Sequence, residues 1–216
     1  MPHIRDLFSL LSSLNGIIRF SMFKLFHKET VLEHLGMCGI FCLVYGWRCN
    51  AICPGFVDIG ILLSKALVHD WDETLTGDVA RPTKYYSKIL RNELANFEHA
   101  GVANIARALA WPGLQSLHNE AKKGREGLLV SIADYACAVH RVFEETMVHH
   151  NYTLLGTAND MGVVPLRLFE EIKYTDLSTE IRLLLVDWVE ELEAMRHQVA
   201  LLDRPSPELH NAHRSP

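Results

Sequence analysis

Apolar residues recur at three-and-four spacing along almost the whole 216-residue chain, and no stretch shows strong two-residue alternation. That pattern predicts an all-α protein. A first helix is expected over residues 3–14, stopping at Asn15-Gly16 and leaving Arg19 in a connection. Thr30-Val31-Leu32-Glu33 fits a capping box, with the threonine hydroxyl accepting from the amide three residues on and the glutamate reaching back. A second helix is therefore expected from about residue 31, with His34 near its first turn and the apolar run of residues 35–47 behind it. Pro54-Gly55 marks a turn. Residues 56–69 then read as a helix apolar on most faces, hence central, closed by His69-Asp70.

Gly77-Asp78 and Arg81-Pro82 mark a loop, and residues 84–110 read as one or two helices ended by Trp111-Pro112-Gly113. A further helix over about 125–148 carries Ala133-Asp134-Tyr135-Ala136-Cys137, whose small residues permit close packing beside the acid. A loop is expected over 149–164. A last helix over 166–200 lines up Ile181, Leu184, Leu185, Trp188, Val189, Leu192 and Met195, a stripe suited to the core or to a dimer seam. Residues 203–216 are rich in Pro and Ser and read as a flexible tail. With no internal repeat, residues 1–202 are expected to form a single-domain helical bundle.

Composition narrows the function classes. A formal net charge of -5, from 21 basic and 26 acidic side chains, offers no broad positive field for a nucleic-acid polymer. The 13-residue apolar run falls short of the roughly 20 residues needed to cross a bilayer. The N-terminal stretch lacks an export cleavage pattern, so a cytoplasmic protein without membrane association is expected. Five cysteines (Cys38, Cys42, Cys49, Cys53 and Cys137) are an odd number, pointing to reduced thiols used as small core hydrophobes.

Against this background His34, the pair His69-Asp70, and Asp134 stand at three separated helix positions. Imidazole and carboxylate together suit a hard or borderline divalent cation, and a bundle brings side chains from distant helices together. A lone histidine on an apolar helix is more often an ordinary core or surface residue. The surrounding residues add specificity.

Four stretches carry a resemblance: Ile18-Arg19-Phe20; Glu29 to His34; His69-Asp70-Trp71-Asp72-Glu73-Thr74-Leu75-Thr76-Gly77-Asp78 with Lys84-Tyr85 beyond; and Ala133 to Ala138. Together they resemble the HD-domain 5′-deoxynucleotidases of the YfbR type and the related phage dATP triphosphohydrolases. The third stretch meets that family's HD-x-x-E-x-x-T-G-D pattern in full. The resemblance implies an HD-domain fold and hydrolysis of the 5′-phosphate ester of a deoxynucleotide, with a mono- or triphosphate as substrate and dATP or dAMP as one preference.

It also implies one divalent ion (cobalt, manganese, zinc or magnesium) on His34, His69, Asp70 and Asp134. Glu73 would be the acid/base, Arg19 the phosphate clamp, and Asp78 the partner of the sugar 3′-hydroxyl. Lys84 would meet a further phosphate, and Phe20 and Met22 the base or sugar. A homodimer or higher homo-oligomer is implied, as is a location in the cytoplasm, that of a host cell if the source is a phage.

Two departures stand out. Phe20-Ser21 replaces the family's Trp-Pro, which bears on deoxy-selectivity. Ser131 stands where a lysine is usual three residues before the last metal-binding aspartate, so a phosphate contact would be lost or supplied by Lys122, Lys123 or Arg125. Other readings are an HD phosphohydrolase acting on a cyclic nucleotide or guanosine tetraphosphate, and a non-catalytic nucleotide sensor. The Thr76-Gly77-Asp78 stretch and Arg19 favour deoxynucleotides. The complete ligand set disfavours a sensor, because buried charges are costly without a metal.

Overall fold

The computed structural model describes residues 3–84 and 86–203. Tyr85 and the expected tail beyond Asp203 lie outside them. The described chain is all-α, its only β feature an isolated antiparallel bridge between Ile18 and Thr30. The helices are α1 (Ile4–Gly16), α2 (Val31–Ile52), α3 (Ile59–Val68), α4 (Glu73–Thr76), α5 (Arg81–Lys84), α6 (Lys88–Ala108), α7 (Leu114–Asn119), α8 (Gly124–Phe143), α9 (Leu155–Asp160), α10 (Val163–Tyr174) and α11 (Thr179–Leu201).

Helix α2 starts where the capping box puts it: Glu33 N–H donates to Thr30 Oγ1 at 3.1 Å and Thr30 N–H to Glu33 Oε2 at 2.7 Å. It then runs 22 residues, well past the 13-residue apolar run, and by length and composition alone it could span a membrane. Its inner face is spent on the fold. Cys38, Cys42 and Cys49 are fully buried against Leu62 of α3, Ile132 of α8 and Leu185 of α11, in one continuous core. All five cysteines are free thiols, four of them buried.

Two expectations fail beyond residue 148. The loop expected over 149–164 contains a 3-10 turn at Tyr152–Leu154 followed by α9. The single helix expected over 166–200 is two, because periodicity of 3.6 continues on both sides of a break that it cannot detect. Thr175 is extended, Ser178 caps α11 by accepting from Ile181 N–H, and the Arg182 guanidinium donates to the carbonyls of Ile172, Lys173 and Thr175, closing the end of α10. Ile181, Leu185 and Val189 are fully buried, and Trp188 stacks on Tyr45 with ring centroids 4.3 Å apart. That stripe packs into the core.

Helix α8 passes at its C-terminal end into a π-helical turn, Glu144–Val148. The turn aims the buried Glu145 at the loop following Arg19. Its carboxylate accepts from Phe26 N–H and His27 N–H, both at 2.9 Å, and from Asn151 Nδ2 at 2.5 Å. One buried acid thus ties residues 21–27 to the bundle.

Candidate metal centre and substrate cavity

The bridge between Ile18 and Thr30 sets Arg19 beside the start of α2, with Arg19 N–H donating to Glu29 O at 2.9 Å. His34 projects from the first turn of α2, His69 caps the end of α3, Asp70 follows it, and Asp134 lies midway along α8. One donor atom from each of these four falls within 4.8 Å of the others. His34 Nε2 stands 3.3 Å from His69 Nε2, 3.3 Å from Asp70 Oδ2 and 3.4 Å from Asp134 Oδ1. His69 Nε2 is 3.2 Å from Asp70 Oδ2 and 3.9 Å from Asp134 Oδ1.

These separations fit a coordination shell: donors about 2.1 Å from a shared ion stand roughly 3.0 to 3.4 Å apart in octahedral or tetrahedral arrangements. The ring of His69 is oriented by its other nitrogen, Nδ1, which donates to Ala66 O at 2.8 Å and leaves the Nε2 lone pair facing the cluster. Burial works against charge on His69, Asp70 and Asp134, yet the attraction between His69 and Asp70, and for Asp134 the Lys122 ammonium first of all, prevails. His69 is raised well above the ordinary imidazole range, while Asp70 and Asp134 are held well below the usual carboxylate range. The cluster favours positive charge at its centre, which is what a divalent cation supplies.

A cavity of about 350 Å³ opens from Asp134. Of the residues expected at the site, Arg19, Phe20, Met22, Asp78 and Lys84 line it with Asp134. Arg19 is only 9% exposed, and its Nε and Nη1 have no acceptor within the protein. Burial opposes its charge, but Asp70, Asp134, Glu29 and Glu73 outweigh that and keep the guanidinium cationic. Buried charged donors without acceptors are rare, because each costs the desolvation of its N–H groups. Phe20 adopts a left-handed backbone (φ 53) and its N–H donates to Asp78 Oδ2 at 2.7 Å. The Thr-Gly-Asp loop therefore holds the aromatic ring against the cavity.

Glu73 is placed differently. It does not line the cavity; it lies half-buried at the start of α4, its Oε2 buried without a partner. Burial, reinforced by the charge on Asp70, pushes its carboxyl up to about 9. Lys84 lines the cavity but pairs with Glu98 at 2.6 Å.

Of the three cations that could replace the lysine absent at Ser131, only Lys122 reaches the site. Lys122 Nζ stands 2.5 Å from Asp134 Oδ2 and lines the cavity beside Ser131, whereas Lys123 pairs with Glu120 and Arg125 with Asp176. Glycines make this possible. Gly124 turns the chain with φ 72, and a Cβ at Gly127 would come within 2.4 Å of the Lys122 carbonyl carbon, so only glycine admits the turn against α8. Two further participants escaped the sequence reading. His118 of α7 pairs with Asp72 at 3.0 Å beside Glu73, and the far cavity wall is built by Thr157, Asp160, Met161, Val164 and Arg167 of α9 and α10. All of these wall residues but Arg167, which falls in the helix expected over 166–200, lie where a loop was expected over 149–164, and no motif marked them.

The sequence profile of the YfbR-like 5′-deoxynucleotidases matches residues 6–160. The chain belongs to that family. Among its relatives are a 5′-deoxynucleotidase of Erwinia tasmaniensis, 26% identical over 173 residues, and the 5′-deoxynucleotidase YfbR of Escherichia coli, 26% identical over 171 residues. In both cases 77% of this chain aligns with 86% of the relative. The fold is that of the HD-domain phosphohydrolases. It is similar to one from Listeria innocua (TM-score 0.59, 22% identity, 92% of this chain and 99% of that one) and to the cyanophage S-2L HD phosphohydrolase solved with dA and one catalytic Zn²⁺ (TM-score 0.57, 19% identity, 88% and 96%). As a YfbR-like protein with this donor cluster, the chain is a metal-dependent hydrolase.

Proposed function

We propose that the protein hydrolyses the 5′-phosphate of 2′-deoxynucleoside monophosphates, giving deoxynucleoside and phosphate. The observation that carries this is the buried Arg19, whose Nε and Nη1 have no protein acceptor, lining a cavity together with Lys122 next to the donor cluster. Two cations at one end match the dianion of a monophosphate, and a guanidinium fork can engage two phosphoryl oxygens at once.

His34, His69, Asp70 and Asp134 would hold one divalent cation of the cobalt, manganese, zinc or magnesium class, which when bound neutralises phosphoryl charge and lowers the pKa of water. Arg19 and Lys122 grip the phosphate and orient it. Glu73, kept neutral by burial, lies outside the cavity lining and would act as the acid/base through a bridging water, passing a proton to the leaving 5′-oxygen. Asp78, with one oxygen engaged by Phe20 N–H, has the other for the sugar 3′-hydroxyl, and the Phe20 ring beside it crowds the position of a 2′-hydroxyl. Met22 flanks the base.

A second reading, release of triphosphate from dATP, is favoured by Lys84 on the same cavity wall, where a longer phosphate chain would reach it. The dA in the cyanophage structure makes dAMP and dATP the first pair to compare. We also place the enzyme in the cytoplasm as a homodimer. Residues 1–202 act as one catalytic domain. The test is product chromatography on dAMP, AMP, dATP and a cyclic nucleotide. Deoxyadenosine and phosphate from dAMP, with AMP at least roughly tenfold slower, support the proposal. Turnover confined to dATP moves the assignment to the second reading, and turnover confined to a cyclic nucleotide rejects both.

A further inference from the structure

One buried acid beside the site has no part in the chemistry above. Glu29 is 1% exposed, and its carboxylate Oε1 has no hydrogen-bond donor. Its place is set by the bridge between Ile18 and Thr30: those two residues stand opposite each other, so Arg19 and Glu29, one step along each strand, form the next facing pair. The Arg19 N–H to Glu29 O bond at 2.9 Å marks that register. Side chains of a facing pair leave the same side of the strands, with Cβ atoms about 5 Å apart. The Glu29 charge accordingly helps to keep Arg19 cationic.

A second guanidinium reaches the same carboxylate. Arg141 of α8 is 4% exposed; its Nε stands 3.7 Å from Glu29 Oε2, too far for a hydrogen bond, while its Nη1 donates to Glu144 at 2.7 Å. Glu29 is thus shared by two buried guanidiniums, and Arg19 Nε, Arg19 Nη1, Glu29 Oε1 and Arg141 Nε are all buried without hydrogen-bond partners. Unpartnered charged atoms gathered so closely are costly, and they persist where a ligand completes the arrangement.

We infer that Glu29 positions the phosphate clamp: steadied by Arg141, its carboxylate accepts from one edge of the Arg19 guanidinium and turns the other edge to the phosphate. This rests on the phosphate-binding role proposed for Arg19. Four acids bear on that guanidinium, Asp70, Asp134, Glu29 and Glu73. A cation held by the cluster engages Asp70 and Asp134, and burial keeps Glu73 neutral, so Glu29 is the anion left to hold Arg19. A guanidinium fork meets two phosphoryl oxygens in one orientation, and fixing its plane beforehand lowers the ordering cost of binding. Glu29 immediately precedes Thr30, the cap of α2, so the clamp and His34 share one support.

The test is calorimetric titration of inorganic phosphate into the full chain loaded with one Mn²⁺, alongside steady-state kinetics on dAMP. Glu29→Gln, Arg19→Ala and the double variant Glu29→Gln/Arg19→Ala are compared. Glu29→Gln should weaken phosphate binding and lower kcat/KM by roughly tenfold or more, with Mn²⁺ affinity within about twofold of wild type. The double variant should be no weaker than Arg19→Ala alone, because an acid that acts through Arg19 has nothing left to position. Glu29→Gln/Arg141→Met removes both buried charges, guards against misfolding from an unpaired Arg141, and should show the same loss of phosphate affinity. Phosphate affinity of Glu29→Gln within about twofold of wild type, an equal loss of Mn²⁺ affinity, or the same fold-loss with and without Arg19 overturns this inference and leaves the clamp standing. Undiminished phosphate affinity in Arg19→Ala overturns the clamp itself, and this inference with it.

Discussion

Removing the Lys122 ammonium separates two effects that usually move together. Lys122 Nζ stands 2.5 Å from Asp134 Oδ2 and opens onto the cavity, so in Lys122→Ala the substrate phosphate loses a cation while Asp134 loses a competitor for its oxygen. A charge-assisted contact to a phosphoryl group contributes about 1.5–3 kcal/mol, which corresponds to roughly 10- to 150-fold in kcat/KM. Divalent-metal affinity, by contrast, should hold or tighten. Steady-state kinetics with dAMP at saturating Mn²⁺, alongside calorimetric titration of Mn²⁺, reads both quantities. A kcat/KM within twofold of wild type would refute the phosphate role. Equal loss of metal affinity and turnover would mean that Lys122 only organises Asp134.

Three other outcomes follow from the structure. Glu145→Ala removes the acceptor for two part-buried backbone N–H groups and Asn151, at a cost of about 3 kcal/mol. That should lower Tm by roughly 6–12 °C for a chain of this size. Burial raises the Glu145 carboxyl but the three donors outweigh it, so its pKa is depressed. Its contribution is therefore complete above the ordinary carboxylate range and lost as pH falls below it, and the gap between wild type and variant in urea melts should close in acid. Gly127→Ala would gain helix propensity of about 1 kcal/mol on an exposed helix, yet here its Cβ collides with the Lys122 backbone; it should lower both Tm and kcat/KM, and an unchanged kcat/KM would contradict the close approach. Mn²⁺ at about 100 times its Kd should stabilise wild type by about 2.7 kcal/mol in thermal melts and leave Asp70→Ala unmoved.

The residues that the structure gathers at the donor cluster were legible in the sequence because they come in a short, dense pattern. His69 to Asp78 holds two members of the cluster, Glu73 and the Phe20-holding aspartate within ten positions, and the Thr30 capping box fixes the turn that carries His34. What stayed hidden depends on tertiary geometry. Nothing local distinguishes Lys122 from Lys123 or Arg125, since the choice is made by the turn at Gly124 and the close contact at Gly127. The break between α10 and α11 was invisible because Leu168 and Ile172 before it and Ile181, Leu185 and Val189 after it each keep helical spacing, while the stop is written in Ser178 and in Arg182, which folds back on the preceding carbonyls. The far cavity wall, from Thr157 to Arg167, has no motif because its residues are brought together by the packing of α9 and α10 and not by a local pattern. Likewise, the apolar run of α2 shows how much must be hidden but not which side lies open.

The central claim, deoxynucleotide phosphate hydrolysis at the His34–His69–Asp70–Asp134 cluster, is tested most directly by phosphate release from dAMP. Metal-stripped wild type and Asp70→Ala would be assayed as Mn²⁺ or Co²⁺ is titrated back. The account predicts no release without metal, recovery saturating at one ion per chain in wild type, and none in the variant at any concentration. Wild type that binds one ion per chain yet releases no phosphate from any of the four deoxynucleoside monophosphates, or Asp70→Ala that recovers as wild type does, would contradict it.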